Sequence, residues 1–309
     1  MVAATAGRPP RRRGRLARRE AIECYLFMGL ALMGFLTFQA GPIGASAYLS
    51  LTDYKLLGAP NFLGLGNFGR MLADPLFWQS LRVTVSYAVV TVPAQLALGL
   101  VVALLMNQSV KGIAVFRTIY YLPAVITGVA VAVLWRWILN PEFGVVNAVL
   151  SYIGITGPKW LSDPQWALRS LMLMSLWSVG GSMVLNLAAL QGIPTELYEA
   201  VEIDGGGMWT KFTHITTAMI SPVLFFNLVT GIIGTFQEFT RVYVMTRGGP
   251  VNSTLFYGLY LYQNAFAYLD MGYASSLAWT LLLIILALTL VVFRTSRLWV
   301  YYEGSAERA

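Results

Sequence analysis

Six apolar runs, each about as long as a bilayer interior is thick, constrain this chain more than any other feature of its sequence. They extend from Ala21 to Tyr48, Val83 to Met106, Thr118 to Ile138, Leu168 to Leu190, Ile215 to Phe236 and Ser275 to Phe293. A helix needs about 20 apolar residues to cross the hydrocarbon core, and core helices of soluble domains seldom stay free of charge for so long. The runs are continuous instead of alternating every second residue, so helices are expected and not the strands of a barrel. Composition agrees, since 57% hydrophobic and 11% charged residues in a chain of 309 lie far from the usage of soluble domains. The expected fold is all-α and integral to a membrane, with six transmembrane helices.

Basic residues set the expected orientation. Arg8, Arg11, Arg12, Arg13, Arg15, Arg18 and Arg19 precede the first run, a block that belongs in the cytoplasm. Six crossings return the C-terminus to the same side, where Arg294 and Arg297 follow the last run, and Lys111, Arg117 and Lys211 fall in loops facing the same way. The division is then a basic cytoplasmic tail over 1–20, a membrane domain over 21–293 and a cytoplasmic tail over 294–309. Topology and contact with anionic lipid account for the arginines, so nucleic acid is not an expected partner. The first run imitates a secretory signal, with Ala45, Ser46 and Ala47 as small residues, but it is longer than such a core and is expected to stay, bent at Gly41 and Pro42.

Between the fourth and fifth runs lies a charged, glycine-punctuated interruption, GIPTELYEAVEIDGGGMWTKFTHITTAMISP, from Gly192 to Pro222. Thr195 after Pro194 is placed to cap a short helix with Glu196 and Glu199 in its early turns, where carboxylates suit the positive end of the helix dipole. Gly205, Gly206 and Gly207 end it. At about 100° per residue, Glu196, Glu199 and Glu202 share one arc, while Leu197, Ala200 and Val201 share the other, with Asp204 among them. The segment 192–214 reads either as a solvated turn or as a docking element.

The residues Glu199, Ala200, Val201, Asp204, Gly205 and Gly206, followed by Phe212, Ile215, Thr216 and Pro222, resemble the EAA signature of ATP-binding-cassette importer permeases in its carbohydrate-uptake form, EAAxxDGA. Val201 stands in place of the second Ala, Gly206 in place of the Ala after the glycine, and Thr217 with Ala218 where Leu-Pro is usual. The strings YLPAVITGVAVAVLWRWILNPEFGVVN and VYVMTRGGPVNSTLFYGLYLYQNAF resemble the same family, so the likeness runs from the first span to the last. It implies a type I importer permease fold in the cell membrane, with 192–214 as the loop that couples to the motor. It also implies a second, non-identical permease, two ATPase subunits that bind ATP and Mg, and an extracytoplasmic solute-binding protein.

No lysine follows a glycine, so the chain lacks the phosphate loop GxxxxGK[ST] and carries no ATPase site of that kind. With one histidine, His214, and one cysteine, Cys24, it offers no metal cluster or Cys–His nucleophile pair. No cofactor and no catalytic activity are expected of it. The runs carry almost no charge, Arg136, Glu23 and Glu238 standing near ends, so a buried charge pair is not expected. They do carry neutral polar and aromatic groups: Tyr87, Thr91 and Gln95, then Trp177, Ser182 and Asn186, then Asn227, Thr230 and Gln237, then Trp279 and Thr280. Trp177, Asn186, Asn227 and Gln237 are the candidates for a polyhydroxylated solute, although many such groups serve to bind helix to helix. Trp135 and Trp137 fit an aromatic belt.

Two other classes stand beside this one. An ion-coupled secondary transporter would show inverted repeats and buried carboxylates. A membrane enzyme acting on a lipid-linked sugar would need a carboxylate or histidine constellation, and Asp53, Asp74, Glu142, Asp163 and Asp270 are widely scattered in the sequence.

Overall fold

The structure is a computed structural model, and it describes residues 15–56 and 58–301. The arginines before Arg15 and the residues after Tyr301 lie outside it. The described residues form helices without a named strand, as expected.

Helix α1 (Arg15–Phe35) runs through a wide turn at Leu36–Ala40 into α2 (Gly41–Ser50). The turn sits beside Gly41 and Pro42. A Cβ on Gly41 would lie 2.9 Å from the carbonyl oxygen of Leu36, and Pro42 brings no N–H, so the regular ladder cannot continue there. Helix α3 (Gly66–Ala73) leads to α4 (Pro75–Met106), whose start is fixed by Asp74, its carboxylate accepting from the N–H of Leu76 at 2.9 Å.

The third run departs from expectation. It is two helices, α5 (Ile113–Val125) and α6 (Gly128–Ile138), bent by 101° at Ile126 and Thr127. Pro123 stands one turn before the break, and two β-branched residues fill it in extended conformation. Among the described residues five helices are long and apolar enough to cross a membrane, six when this bent pair counts as one crossing. Trp135 departs as well. It turns inward against the core and meets Trp177 edge to face at 5.9 Å, while Trp137 is exposed as an interface belt requires.

After α7 (Val145–Tyr152), the fourth run is α8 (Pro164–Leu176) and α9 (Gly180–Gln191), separated by a turn at Trp177–Val179. Gly180 lets α9 cross α5 closely, since a Cβ there would lie 2.5 Å from the carbonyl oxygen of Tyr120. Then come α10 (Thr195–Ile203), the single turn α11 (Met208–Thr210) and α12 (Thr217–Phe236). A short α13 (Thr240–Met245) packs on α6, followed by α14 (Tyr257–Tyr262) and α15 (Met271–Ser296).

Two apolar cores divide the bundle along its length. One, with Val102, Met106, Met183, Leu190 and Ile220, lies toward α10; the other, with Phe77, Leu171, Phe256, Tyr257 and Tyr273, lies toward α14. Polar clasps tie the second core together: the Thr84 hydroxyl accepts from Tyr257 N–H at 2.9 Å, and Tyr257 O–H donates to the Leu277 carbonyl at 2.8 Å. Trp279, one of the aromatic groups of the sixth span, donates its indole N–H to Ser46 at 3.2 Å and joins the first and last spans.

Candidate functional site

Helix α10 hangs between α9 and α12 with Ile193 buried at its entry. Thr195 is its first helical residue and makes no side-chain cap, contrary to expectation; Pro194, extended at ψ 133°, delivers the chain instead. The C-terminal end follows the sequence. Gly205 takes φ 77°, its N–H donating to Glu202 at 3.0 Å while Gly206 N–H donates to Val201 at 2.8 Å, the two bonds of a Schellman termination.

The two departures from the EAAxxDGA pattern compensate one another. A Cβ at Gly206 would lie 2.5 Å from Val201 Cγ1 and 3.0 Å from the Val201 carbonyl oxygen. Valine at 201 therefore requires glycine at 206, and two small residues have exchanged size across one contact.

Leu197, Tyr198 and Val201 turn inward, and Tyr198 O–H lies 3.0 Å from Thr216 Oγ1. Lys211 pairs with Glu202, so the helix is tied at two points to the start of the fifth span. Ala200 does not join the inner arc. It is exposed together with Glu196, Glu199, Asp204 and Ile203, and Met208 and Trp209 beside them are 86% and 75% exposed. The face is an acidic and apolar surface that no other described residue covers.

A cleft opens between α4, α9 and α12. Its wider part, about 290 Å³, is lined by Gln95, Ser178, Ser182, Asn227 and Thr230, and through Gln95, Thr230 and Gly231 it continues into a part of about 170 Å³ reaching Tyr87, Thr91, Glu238 and Arg241. Of the four candidate residues only Asn227 lines it. Asn186 is fully buried behind, its Oδ1 accepting from Asn227 Nδ2 at 3.1 Å while its own Nδ2 has no partner. Trp177 packs on Trp135, and Gln237 ends α12 as an exposed residue.

Sequence reasoning missed the charged floor. Arg241 Nε pairs with Glu238 Oε2 at 3.2 Å, a half-buried ion pair where none was expected. After Phe236 the chain folds back as α13 against α6 instead of leaving the bundle, which carries Arg241 to the cleft.

Four of the acids scattered in sequence, Asp53, Asp74, Asp163 and Asp270, are held by partners within the fold. Asp53 accepts from Asn61 backbone and side chain, bonds that hold it below the usual carboxylate range. Asp163 caps α8, accepting from Gln165 N–H at 2.8 Å, and Asp270 pairs with Arg70 at 2.7 Å. Asp74 and Asp270 do converge on Tyr273, Asp74 accepting from its O–H and Asp270 from its N–H as the cap of α15. Among the described residues no group of three His, Cys, Asp or Glu could hold a metal.

The sequence profile of the binding-protein-dependent transport system inner membrane components matches residues 95–299, from the cleft through α10 to the end of the last span. The chain belongs to this family. The permease is thus a multi-pass protein of the cell membrane. It is 42% identical to a probable ABC transporter permease, YesP, of Bacillus subtilis, over 96% of this chain and 97% of that one. It is 36% identical to the lactose transport system permease LacF of Rhizobium radiobacter, over 92% and 97%. Its fold matches a chain in the crystal structure of a bacterial alginate ABC transporter, with a TM-score of 0.81 at 22% identity, covering 93% of the permease and 98% of that chain.

Proposed function

We propose that the permease is the membrane subunit of an ATP-driven importer for a carbohydrate, moving its solute by alternating access. One observation carries this reading. The loop bearing α10 joins α9 and α12, and these same two helices border the polar cleft through Ser182 and Asn227. A motor that grips the exposed face of Glu196, Glu199, Ala200 and Ile203 would tilt both walls of the cleft, because Tyr198–Thr216 and Glu202–Lys211 make the loop move with the fifth span.

Two ATPase subunits supply ATP and Mg chemistry, a second and non-identical permease closes the pathway, and a loaded binding protein docks at the opposite end. The neutral donors and acceptors of the cleft suit hydroxyl groups, and a lactose permease stands among the relatives. The bent α5–α6 pair counts as the third of six crossings, with both termini and Glu199 in the cytoplasm and Pro60, Pro158 and Pro250 outside. The basic tail before Ala21 supports this orientation.

The test uses the wild-type complex in proteoliposomes for uptake and, separately, the permease alone with single cysteines at positions 158 and 199 in a Cys24→Ser background for topology. ATP-dependent uptake of a neutral oligosaccharide is expected, and a membrane-impermeant thiol reagent should reach the two positions from opposite sides. Labelling of both from one side would overturn the topology. Uptake driven by an ion gradient without ATP would establish a secondary transporter.

A further inference from the structure

A second cleft, of about 420 Å³, lies at the end of the bundle away from α10, lined by Arg136, Asn140 and Ser162 together with Met245, Thr246 and the Gly249–Pro250 backbone. It connects with the charged floor described above through one helix. Met245, at the end of α13, faces this cleft, while Arg241, four residues earlier and roughly 6 Å along the axis, faces the lower one.

Among the described residues, Arg136 is the one charged residue that lines this cleft. The ion pairs among the described residues are Arg19–Glu23, Arg70–Asp270, Lys211–Glu202 and Arg241–Glu238, and Arg136 belongs to none of them. None of the neighbouring acids lines the cleft. Glu238 is held by Arg241, Asp163 caps α8, and Glu142 lines a neighbouring cleft that shares only Pro141 with this one. Asn140 Oδ1 accepts from the N–H groups of Glu142 at 2.9 Å and Phe143 at 3.2 Å, which leaves the Asn140 amide as a donor. Arg136, Asn140 and Ser162, three residues with hydrogen-bond donors, thus border one space.

We propose that this cleft recognises an anionic oxygen group, the carboxylate of an acidic saccharide, at the mouth of the pathway. A guanidinium presents a planar fork that matches a carboxylate, and the bond is charge-assisted on both sides. The proposal rests on the carbohydrate reading and narrows its substrate class. A phosphate of a lipid headgroup offers the same chemistry to an arginine flanked by Trp135 and Trp137, and the test separates the two sources.

The complete complex, with its ATPases, second permease and binding protein, is reconstituted in vesicles of phosphatidylcholine with and without phosphatidylglycerol. Initial uptake of trigalacturonate and of maltotriose is measured for wild type, Arg136→Gln and Arg136→Lys at subsaturating solute. The binding protein is constant, so differences between variants read this chain. Arg136→Gln is expected to lower trigalacturonate uptake about tenfold and maltotriose uptake less than twofold, with the trigalacturonate effect shrinking as salt is raised. Arg136→Lys, which keeps the charge and loses the fork, should fall between and serves alone if the glutamine variant fails to assemble. Equal losses for both solutes, or none, would overturn the proposal, as would an effect confined to vesicles containing phosphatidylglycerol. Wild-type uptake of maltotriose without trigalacturonate would overturn it and leave the carbohydrate reading standing. Uptake of neither solute, by a complex that hydrolyses ATP, would overturn that reading too.

Discussion

Gly205→Pro and Glu199→Lys are expected to abolish ATP-driven uptake while the helices still insert. Gly205 holds φ at 77° and donates its N–H to Glu202. Proline is locked near −65° and has no N–H, so it can adopt neither the angle nor the bond, and the chain from Gly206 to Lys211 must leave α10 in another direction. Glu199 lies on the exposed face with Ala200 and Ile203. In a partly desolvated contact with an ATPase, reversing its charge replaces attraction with repulsion, and breaking a buried pair costs roughly 3 to 5 kcal/mol. That suffices to unseat the motor. A milder control comes from the exchange of size in the same loop. Gly206→Ala alone should weaken coupling, and Val201→Ala in the same chain should restore it, because the clash at Val201 Cγ1 is then gone. Uptake, ATPase rate and co-purification of the ATPase are measured for each. Normal uptake by both Gly205→Pro and Glu199→Lys would reduce α10 to a surface turn.

The loop was legible because its signals are local. A glycine that must take positive φ, carboxylates in early turns and an abrupt fall in hydropathy all lie within a few residues of one another. What escaped was set by distant partners. Ala200 sits on the exposed face because Leu197 and Tyr198 already fill the contact with the first core while Val201 is half-buried beside Gly206, and no periodicity decides which of two small residues turns inward. The break in the third run escaped for a related reason. Ile126 and Thr127 are as apolar or as tolerable in a helix as their neighbours, and what accompanies the 101° bend, α13 packed on α6, comes from more than 100 residues later in the chain.

The cleft shows the same limit more strongly. A polar residue within a span has two uses, and sequence does not separate them. Asn186 and Asn227 look alike in the chain, yet one is sealed from the cleft and the other lines it, bonded to one another across two helices. Glu238 and Arg241 follow the fifth span where a crossing ordinarily ends, so only the return of the chain as α13 reveals them as walls of the cleft. Charges just past a span were discounted on general grounds; here a helix of six residues brings them back.

Asp74→Ala is expected to cost the bundle more than any other single truncation at the end away from α10. One carboxylate joins three elements there. Its Oδ1 accepts from Leu76 N–H at 2.9 Å and starts α4, while its Oδ2 accepts from Tyr273 O–H of α15 at 2.8 Å and from Tyr260 O–H of α14. Losing the cap costs about 1 kcal/mol, and hydrogen bonds to a charged group are worth about 1.5 to 3 kcal/mol each. Because the bonds share one acceptor the sum is not additive, and a loss of roughly 3 to 5 kcal/mol is expected, enough to lower the melting temperature of the purified complex by roughly 10 °C. Tyr273→Phe and Tyr260→Phe should each cost a fraction of this. The dependence on pH identifies the charge as the cause. Burial pushes the Asp74 carboxyl up, but bonds from Tyr260 and Tyr273 and from the backbone of Leu76 and Phe77 outweigh it and hold it below the usual range. Tyr260, pushed up to about 12 by burial and then by this carboxylate, stays a donor throughout. A depressed carboxyl lends stability that is complete above its unfolded value, about 3.9, and fades as pH falls through the lower folded value. The melting gap between wild type and Asp74→Asn should therefore be constant from about pH 7 to pH 5 and close below about pH 4. A gap that ignores pH would mean that shape, and not charge, holds this junction, and an Asp74→Ala protein melting with the wild type would remove the clasp altogether.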